Sequence, residues 1–283
     1  MSDFSKTLIL ALVAANVLSC GKKAEDASSV GRTGTITVDV NDENAQQIGD
    51  VMASIDEAGG ATGSLSIASV GSRASCAGYG FGSCTANTVT RVFNGCSVGL
   101  STLSGTVGLM WTGSSVNCML GAAGDSIQRA PNFTITGPRG GTLAVTKTGA
   151  LGQVLTWTGG SGTGKTFDFT SDGINRRITH GGTTFYDVTT RTSSAISVSG
   201  TSRSSRVMSG GTLRLTNNVT AATCDISPSN VTWEMGCNCA TSGTWSGNCG
   251  GQTFAVEITG CGTATLTVGT SSQSVAFDRC LVN

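Results

Sequence analysis

Gly159, Gly164, Lys165 and Thr166 stand at the spacing Gly-x4-Gly-Lys-Thr. In that pattern the glycines let backbone N–H groups close around a phosphate chain. The Lys reaches the terminal phosphates, and the Thr hydroxyl holds Mg²⁺. The chemistry needs a strand before the loop and a helix after it, so that the helix N-terminus faces the anion. Upstream, "VLTWT" alternates as a strand does. Downstream, Thr166-Phe167-Asp168-Phe169-Thr170 alternates too, which predicts a second strand and not a helix. Thr158 to Phe169 therefore reads as a hairpin, with Lys165 reaching solvent and Gly162 and Gly164 shaping the turn. No nucleotide is expected, and no other cofactor.

The other groupings give no site. Lys147-Thr148-Gly149 and Ser171-Asp172-Gly173 resemble two boxes of the serine β-lactamases, but they occur in the wrong order and no Ser-x-x-Lys precedes them. A Ser-His-Asp arrangement would have to use His180, the single His, at a strand end before a Gly pair. A carboxylate pair suited to glycoside hydrolysis depends on the fold, and nothing in the sequence selects one. Cys237, Cys239 and Cys249 could be thiolate ligands, but the chain has no Cys-x-x-Cys. No catalytic residue and no metal ligand is assigned.

Cysteine usage points to an oxidising compartment. The eleven are Cys20, Cys76, Cys84, Cys96, Cys118, Cys224, Cys237, Cys239, Cys249, Cys261 and Cys280. Setting Cys20 aside leaves an even number, which reads as a disulfide framework. Local pairing is expected: Cys76–Cys84, Cys96–Cys118, Cys224–Cys237, Cys239–Cys249 and Cys261–Cys280. Cys20 is set aside because of what precedes it. An apolar run from Leu8 to Leu18, too short to span a bilayer, has the form of a signal peptide. Its end, Val17-Leu18-Ser19-Cys20, resembles the lipobox of bacterial lipoproteins. The resemblance implies cleavage before Cys20 and its acylation. Gly21, and not Asp, follows, which implies the outer membrane. Residues 1–19 are thus read as signal peptide and 20–34 as a tether.

Gly is 41 of 283 residues, and only 12% of residues are charged. That composition, with few Pro and no Gly-x-y period, predicts an all-β exported protein with tight turns. Ile48, Val51, Met52 and Ile55 share a helical face, which predicts one short helix near 42–58. From there the period is two. "TVTRVF" and "GTVGLMW" belong to an N-terminal β domain, 35–130. "FTIT", "TLAVTK", "QVLTWT", "TFDFTS", "RRITH", "TTFYDVT", "AISVS" and "TLRLT" follow in a C-terminal one, 131–283. That domain is Cys-rich from 224. The expected fold is a disulfide-linked antiparallel β-sandwich or meander.

Two features suggest contacts. Residues 131–223 carry nine basic and three acidic side chains, a net of +6 in a chain whose total is zero. Arg176, Arg177, Arg203, Arg206 and Arg214 are candidates for holding an anion, such as an acidic envelope glycan or lipopolysaccharide phosphate. Nucleic acid is disfavoured. The alternative, charged guards on solvent-facing strands, stays open. Tyr79 and Phe81, among glycines between Cys76 and Cys84, are candidate contact residues or local packing.

The tail "SNVTWEMGCNCATSGTWSGNC", followed by "TGCGTATLTVG" and "FDRC", is similar to Cys-containing, Gly/Ser/Thr-rich lipoproteins of predatory and environmental Gram-negative bacteria. No activity carries over from that group. The expectation is a lipid-anchored envelope protein, structural or ligand-binding and not an enzyme. An envelope hydrolase acting on glycan or peptidoglycan is the alternative.

Overall fold

The computed structural model describes residues 74–75, 84–98, 101–237 and 239–276. The helix expected near 42–58, the loop of Tyr79 and Phe81, and Cys20, Cys76 and Cys280 lie outside them. The described residues form seventeen strands in one antiparallel network.

A short β1 (Ala74–Ser75) pairs with β2 (Thr88–Val98). β2 and β3 (Ser101–Thr112) form a long hairpin, and β3 pairs along its whole length with β4 (Ser126–Thr136). At β4 the sheet divides. Residues 132–136 pair with β5 (Thr142–Lys147), while 126–129 pair with β6 (Gln153–Gly159). The chain then places successive hairpins in alternate layers. β6 pairs with β7 (Thr166–Ser171), and β8 (Ile174–His180) pairs with β9 (Thr183–Ser194). β10 (Ile196–Ser199) pairs with β11 (Val207–Ser209). One layer runs β5-β8-β9-β12, where β12 is Thr212–Asn217, and the other runs β6-β7-β10-β11. Both end on β13 (Thr223–Trp233). Its first residues pair with β12, and Val231 and Thr232 pair with β11. The ring is closed, a sandwich whose two sheets share a strand at each corner.

From β13 a meander continues through β14 (Ala240–Cys249), β15 (Gln252–Gly260), β16 (Thr263–Val268) and β17 (Ser271–Ala276). The expected division at 130/131 falls inside β4, a continuous strand paired on both sides, so the sheet network runs across it.

Alternation decides what faces in. Ile178, Val188, Leu213 and Leu215 of one layer meet Leu155, Phe167, Phe169, Ile196, Val198 and Met208 of the other in a single core. Trp233, Trp245, Val256, Ile258 and Leu266 of the meander belong to the same core. Each such side chain stabilises by roughly 1.5–3 kcal/mol when fully buried. A second core, Val89, Phe93, Leu103, Val107, Leu109 and Trp111, lies under β2–β4. The strands predicted between 133 and 216 form as expected, but as a sandwich and not a meander.

The disulfides correct the expected pairing. Cys84 bonds Cys118, Cys224 bonds Cys249, and Cys237 bonds Cys261. Cys96 and Cys239 are also disulfide-bonded. The reason is strand length. Cys224 and Cys237 lie at opposite ends of β13, which at ~3.3 Å per residue is about 30 Å, far beyond the ~7 Å Cα separation a disulfide spans. Cys249 instead sits directly opposite Cys224 across β13 and β14, with Cα atoms 4.2 Å apart. Cys239 and Cys249 are likewise at opposite ends of β14. Cys96 and Cys118 lie at opposite ends of the β2–β3 hairpin, whereas Cys84 and Cys118 share one end.

The Thr158–Phe169 stretch forms the hairpin turn between β6 and β7, with one turn of 3₁₀ helix at Gly162–Gly164. The critical glycine there is Gly160. Its φ is +75°, and a Cβ would come 2.2 Å from the Gly164 carbonyl oxygen. Gly162 also has positive φ but faces open space. Gly164 has neither positive φ nor a neighbour within 4 Å, which overturns the role expected for it. Gly160→Ala is therefore predicted to destabilise by about 2 kcal/mol, through a left-handed backbone and a backbone clash. Gly164→Ala should stay within about 0.5 kcal/mol of the parent. Thermal denaturation of the two variants checks this, and equal melting temperatures would contradict it.

Candidate functional site

Lys165 does not reach freely into solvent. It is half-buried, with Nζ 3.8 Å from the centroid of the Trp157 ring. Trp157 sits on β6 and donates its indole N–H to the Gly159 carbonyl, 2.7 Å away. The Lys165 carbonyl accepts from Gly200 N, and Gly164 N donates to the Ser161 carbonyl. These groups tie the turn to itself and to the β10–β11 connection. They hold it as a structural clasp, with a cation–π contact worth about 0.5–2 kcal/mol.

The five candidate arginines do not converge. Arg176 and Arg177 are adjacent on β8 and so point to opposite faces. Arg176 faces inward between Val145 and Val188, and its Nη1 donates to Thr190 Oγ1 at 3.3 Å. Arg206 is buried, 6% exposed, with its guanidinium 5.5 Å from the Trp233 ring centroid. Arg203 lies in the one-turn helix Arg203–Ser205. Arg177 and Arg214 are exposed on the outer face, and an Asp holds each. Arg177 Nε lies 3.7 Å from Asp187 Oδ2. Arg214 grips Asp225 with Nε and Nη2 at 2.9 and 2.8 Å. That fork lowers the Asp225 pKa and raises that of Arg214. The net +6 of this segment is thus divided between interior and surface and partly neutralised at the surface.

The register instead assembles a polar lattice on the outer face. Residues directly opposite in antiparallel strands share a face. One row crosses β3, β4, β5 and β8 as Thr102, Thr136, Thr142 and Thr179. Two residues along, the row reads Ser104, Thr134, Ala144 and Arg177. The next reads Thr106, Asn132, Thr146 and Asn175, and it continues through Thr189, Thr216 and Thr223 on β9, β12 and β13. Hydroxyls bridge neighbouring strands where they meet, as in Thr142 Oγ1 to Thr179 Oγ1 at 2.6 Å. One end of the lattice is fixed by a small network. Asp187 Oδ1 accepts from Asn175 Nδ2 at 2.7 Å and from Asn218 Nδ2 at 2.6 Å, and Asn218 Nδ2 also lies 2.9 Å from Thr189 Oγ1. These threonines and asparagines are absent from the sequence-based candidates. Their period-two spacing is visible in "STLSGT" and "NFTIT", but the register that lines them up across strands is not.

His180 is exposed at the end of β8. Asp172 accepts from the amides of Leu151 and Gly152, both at 2.7 Å. Asp125, 3% exposed, accepts from the amides of Ser114, Gly121 and Ala122 and from the Ser114 hydroxyl. Among the described residues no group of three or more His, Cys, Asp or Glu could hold a metal ion. Comparison with known proteins finds no matching family model, no similar curated protein and no matching solved structure.

Asp125 yields a pH prediction. The amides of Ala122, Ser114 and Gly121 and the Ser114 hydroxyl hold its carboxyl well below the usual carboxylate range, outweighing the opposite effect of burial. A depressed folded-state pKa contributes stability that is fully present above the unfolded pKa, near 3.8. That contribution is lost as pH falls from there toward the folded value. Asp125→Asn should therefore lower the melting temperature at pH 7 and flatten its decline between about pH 4 and pH 2. Melting curves across that range would show parallel profiles if the loop did not depend on the carboxylate.

Proposed function

We propose that this chain is a lipid-anchored protein of a bacterial cell envelope that acts by binding and not by catalysis. The observation that carries the reading is the outer lattice: a broad, rigid sheet face of short polar side chains, fixed in register by the strands beneath. Such a face offers many weak, spatially repeated hydrogen bonds, which suits adhesion to an extended partner. The carboxylates nearby fit the same reading. Asp125 and Asp172 cap loop amides, and Asp187 and Asp225 hold arginines and asparagines. The disulfides support an oxidising address. The signal-peptide run and Val17-Leu18-Ser19-Cys20 support export and acylation.

Cys20→Ala tests the anchor. In a Gram-negative host, the wild-type chain should sediment with the outer membrane and carry the added mass of acyl chains. The variant should lose that mass and move to the soluble fraction. A variant that stays in the membrane with unchanged mass would sink the lipoprotein reading.

A further inference from the structure

We propose that the tip of the loop between β3 and β4 dips into a lipid bilayer leaflet, so that the folded domain makes its own contact with a membrane surface. This contact is separate from the acyl anchor and from the outer lattice. Four observations carry it.

The first is the lack of charge. From Val92 to Gly124 the chain has no charged residue, whereas at its overall 12% a stretch of that length would carry about four. The two charges that flank the stretch, Arg91 and Asp125, are buried. The second is apolar exposure. Val116 and Met119 are paired across an isolated β-bridge and are 63% and 65% exposed. Between them Asn117 and Cys118 have φ of 52° and 59°, the two left-handed residues that a type I′ turn needs. The Cys84–Cys118 bond braces this turn, and so does the Asn87 side chain, which accepts from Cys118 N at 3.3 Å and donates to the Ser115 carbonyl. Leu120 packs against both cores below it. The braced tip has no way to fold inward and bury its apolar side chains. Gly121 to Gly124, which follow, are exposed, small and uncharged.

The third observation is the backbone. In an apolar medium every unpaired N–H or C=O is costly. Here Ser114, Gly121 and Ala122 donate their amides to the Asp125 carboxylate. Val116 and Met119 exchange both of their bonds, Cys118 N is held by Asn87, and Gly124 N donates to the Trp157 carbonyl. Seven of the twelve amides from Gly113 to Gly124 thus have partners within the protein and need no water. The fourth is the base of the loop. Trp157 N donates to the Asp125 carbonyl at 2.9 Å, and Lys165 Nζ stands over the Trp157 ring. Both side chains are half-buried. A Trp beside a cation suits the headgroup level, with an apolar tip beyond it.

Size selects lipid over protein as the partner. A specific protein interface draws on about 20–30 residues a side. The tip offers two large apolar side chains and two alanines on a convex turn, and a leaflet needs no complementary pocket. Two side chains hold a domain less firmly than an acyl chain, whose own binding is reversible. The unacylated chain therefore washes from membranes during fractionation and binds where lipid is in large excess.

The test is co-flotation of the full mature chain carrying Cys20→Ala with excess vesicles of phosphatidylethanolamine and phosphatidylglycerol. Flotation is expected, and it should persist in about 1 M salt, where the Debye length is about 3 Å. Val116→Asp combined with Met119→Asp should weaken it about tenfold, because a carboxylate is strongly disfavoured at that depth. Val219→Asp, similarly exposed in the β12–β13 turn, should float as the parent does. If the paired variant melts early, Met119→Gln alone, which keeps the side-chain length, should still weaken flotation about threefold. No flotation, flotation that salt abolishes, or tip variants that float as the parent does would each overturn the proposal. A tip that instead joins two copies would appear in light scattering as a dimer that the Asp variant converts to monomer, and that result overturns it too. Acylation is read separately, by mass, so either finding stands without the other.

Discussion

Everything in this molecule hangs on two strands that each serve two sheets. β4 gives residues 132–136 to β5 and 126–129 to β6. β13 gives Cys224–Ile226 and their neighbour Thr223 to β12, and Val231–Thr232 to β11. Because a strand's backbone donors and acceptors must all find partners, dividing one strand between two layers ties those layers together by hydrogen bonds. The sandwich thereby loses the open edges that a pair of separate sheets would present. The opposite edges of β4 and β13 remain available, and there β3 and β14 pair along the strands' length. The two extensions of the network are therefore built on the same strands that close the ring.

Closing the ring fixes which side chains face out. With one side of every strand committed to the interlayer core, alternation leaves the other side to solvent, and the twist is shared across the whole network. The same logic explains the arginines. Arg176 and Arg177 differ by one position and by one face. Arg206 is drawn in over Trp233, and Arg177 and Arg214 meet aspartates supplied by adjacent strands. A charge count along the chain cannot see this, because it adds residues that the fold separates.

Much of the architecture was legible. Period-two alternation located β5 to β10 and β12, and the alternation of "TFDFT" distinguished a hairpin from a phosphate-binding loop. It failed where strands lack alternating apolar residues. β14, "ATSGTWSGNC", has Trp245 as its one large apolar side chain, yet that ring is 0% exposed and central to the core. β11 is too short to show a period. The candidate site was illegible for a different reason. Thr134 and Thr136 declare an outward face from their spacing alone. Their alignment with Thr142 and Thr179 depends on a register set by β4–β5 and β5–β8 pairing, which joins residues far apart in the chain. The turn glycines show the same limit: Gly162 takes the positive φ that the turn reading expects of it or Gly164, yet neither bears the tightest constraint. Gly160 bears it, because the turn folds the Gly164 carbonyl back over it.

The placement of the disulfides follows from the closed ring. Residues 131–223 carry no cysteine, and they span the strands whose both edges are paired within the sandwich. The bonds lie outside that stretch. Cys84–Cys118 holds the free end of the β2–β3 hairpin, Cys224–Cys249 fastens β14 to β13, and Cys237–Cys261 ties the segment before β14 to the turn after β15. An extension paired on one side gains fewer contacts per ordered residue than a strand inside a closed ring, so its conformational entropy is harder to offset. A cross-link reduces that entropy in the unfolded chain, by roughly 2–4 kcal/mol for a bond of this kind. Covalent staples thus stand where hydrogen-bonded closure ends. This allows the polar outer lattice, which contributes little burial of its own, to rest on strands that are rigid from one extension of the network to the other.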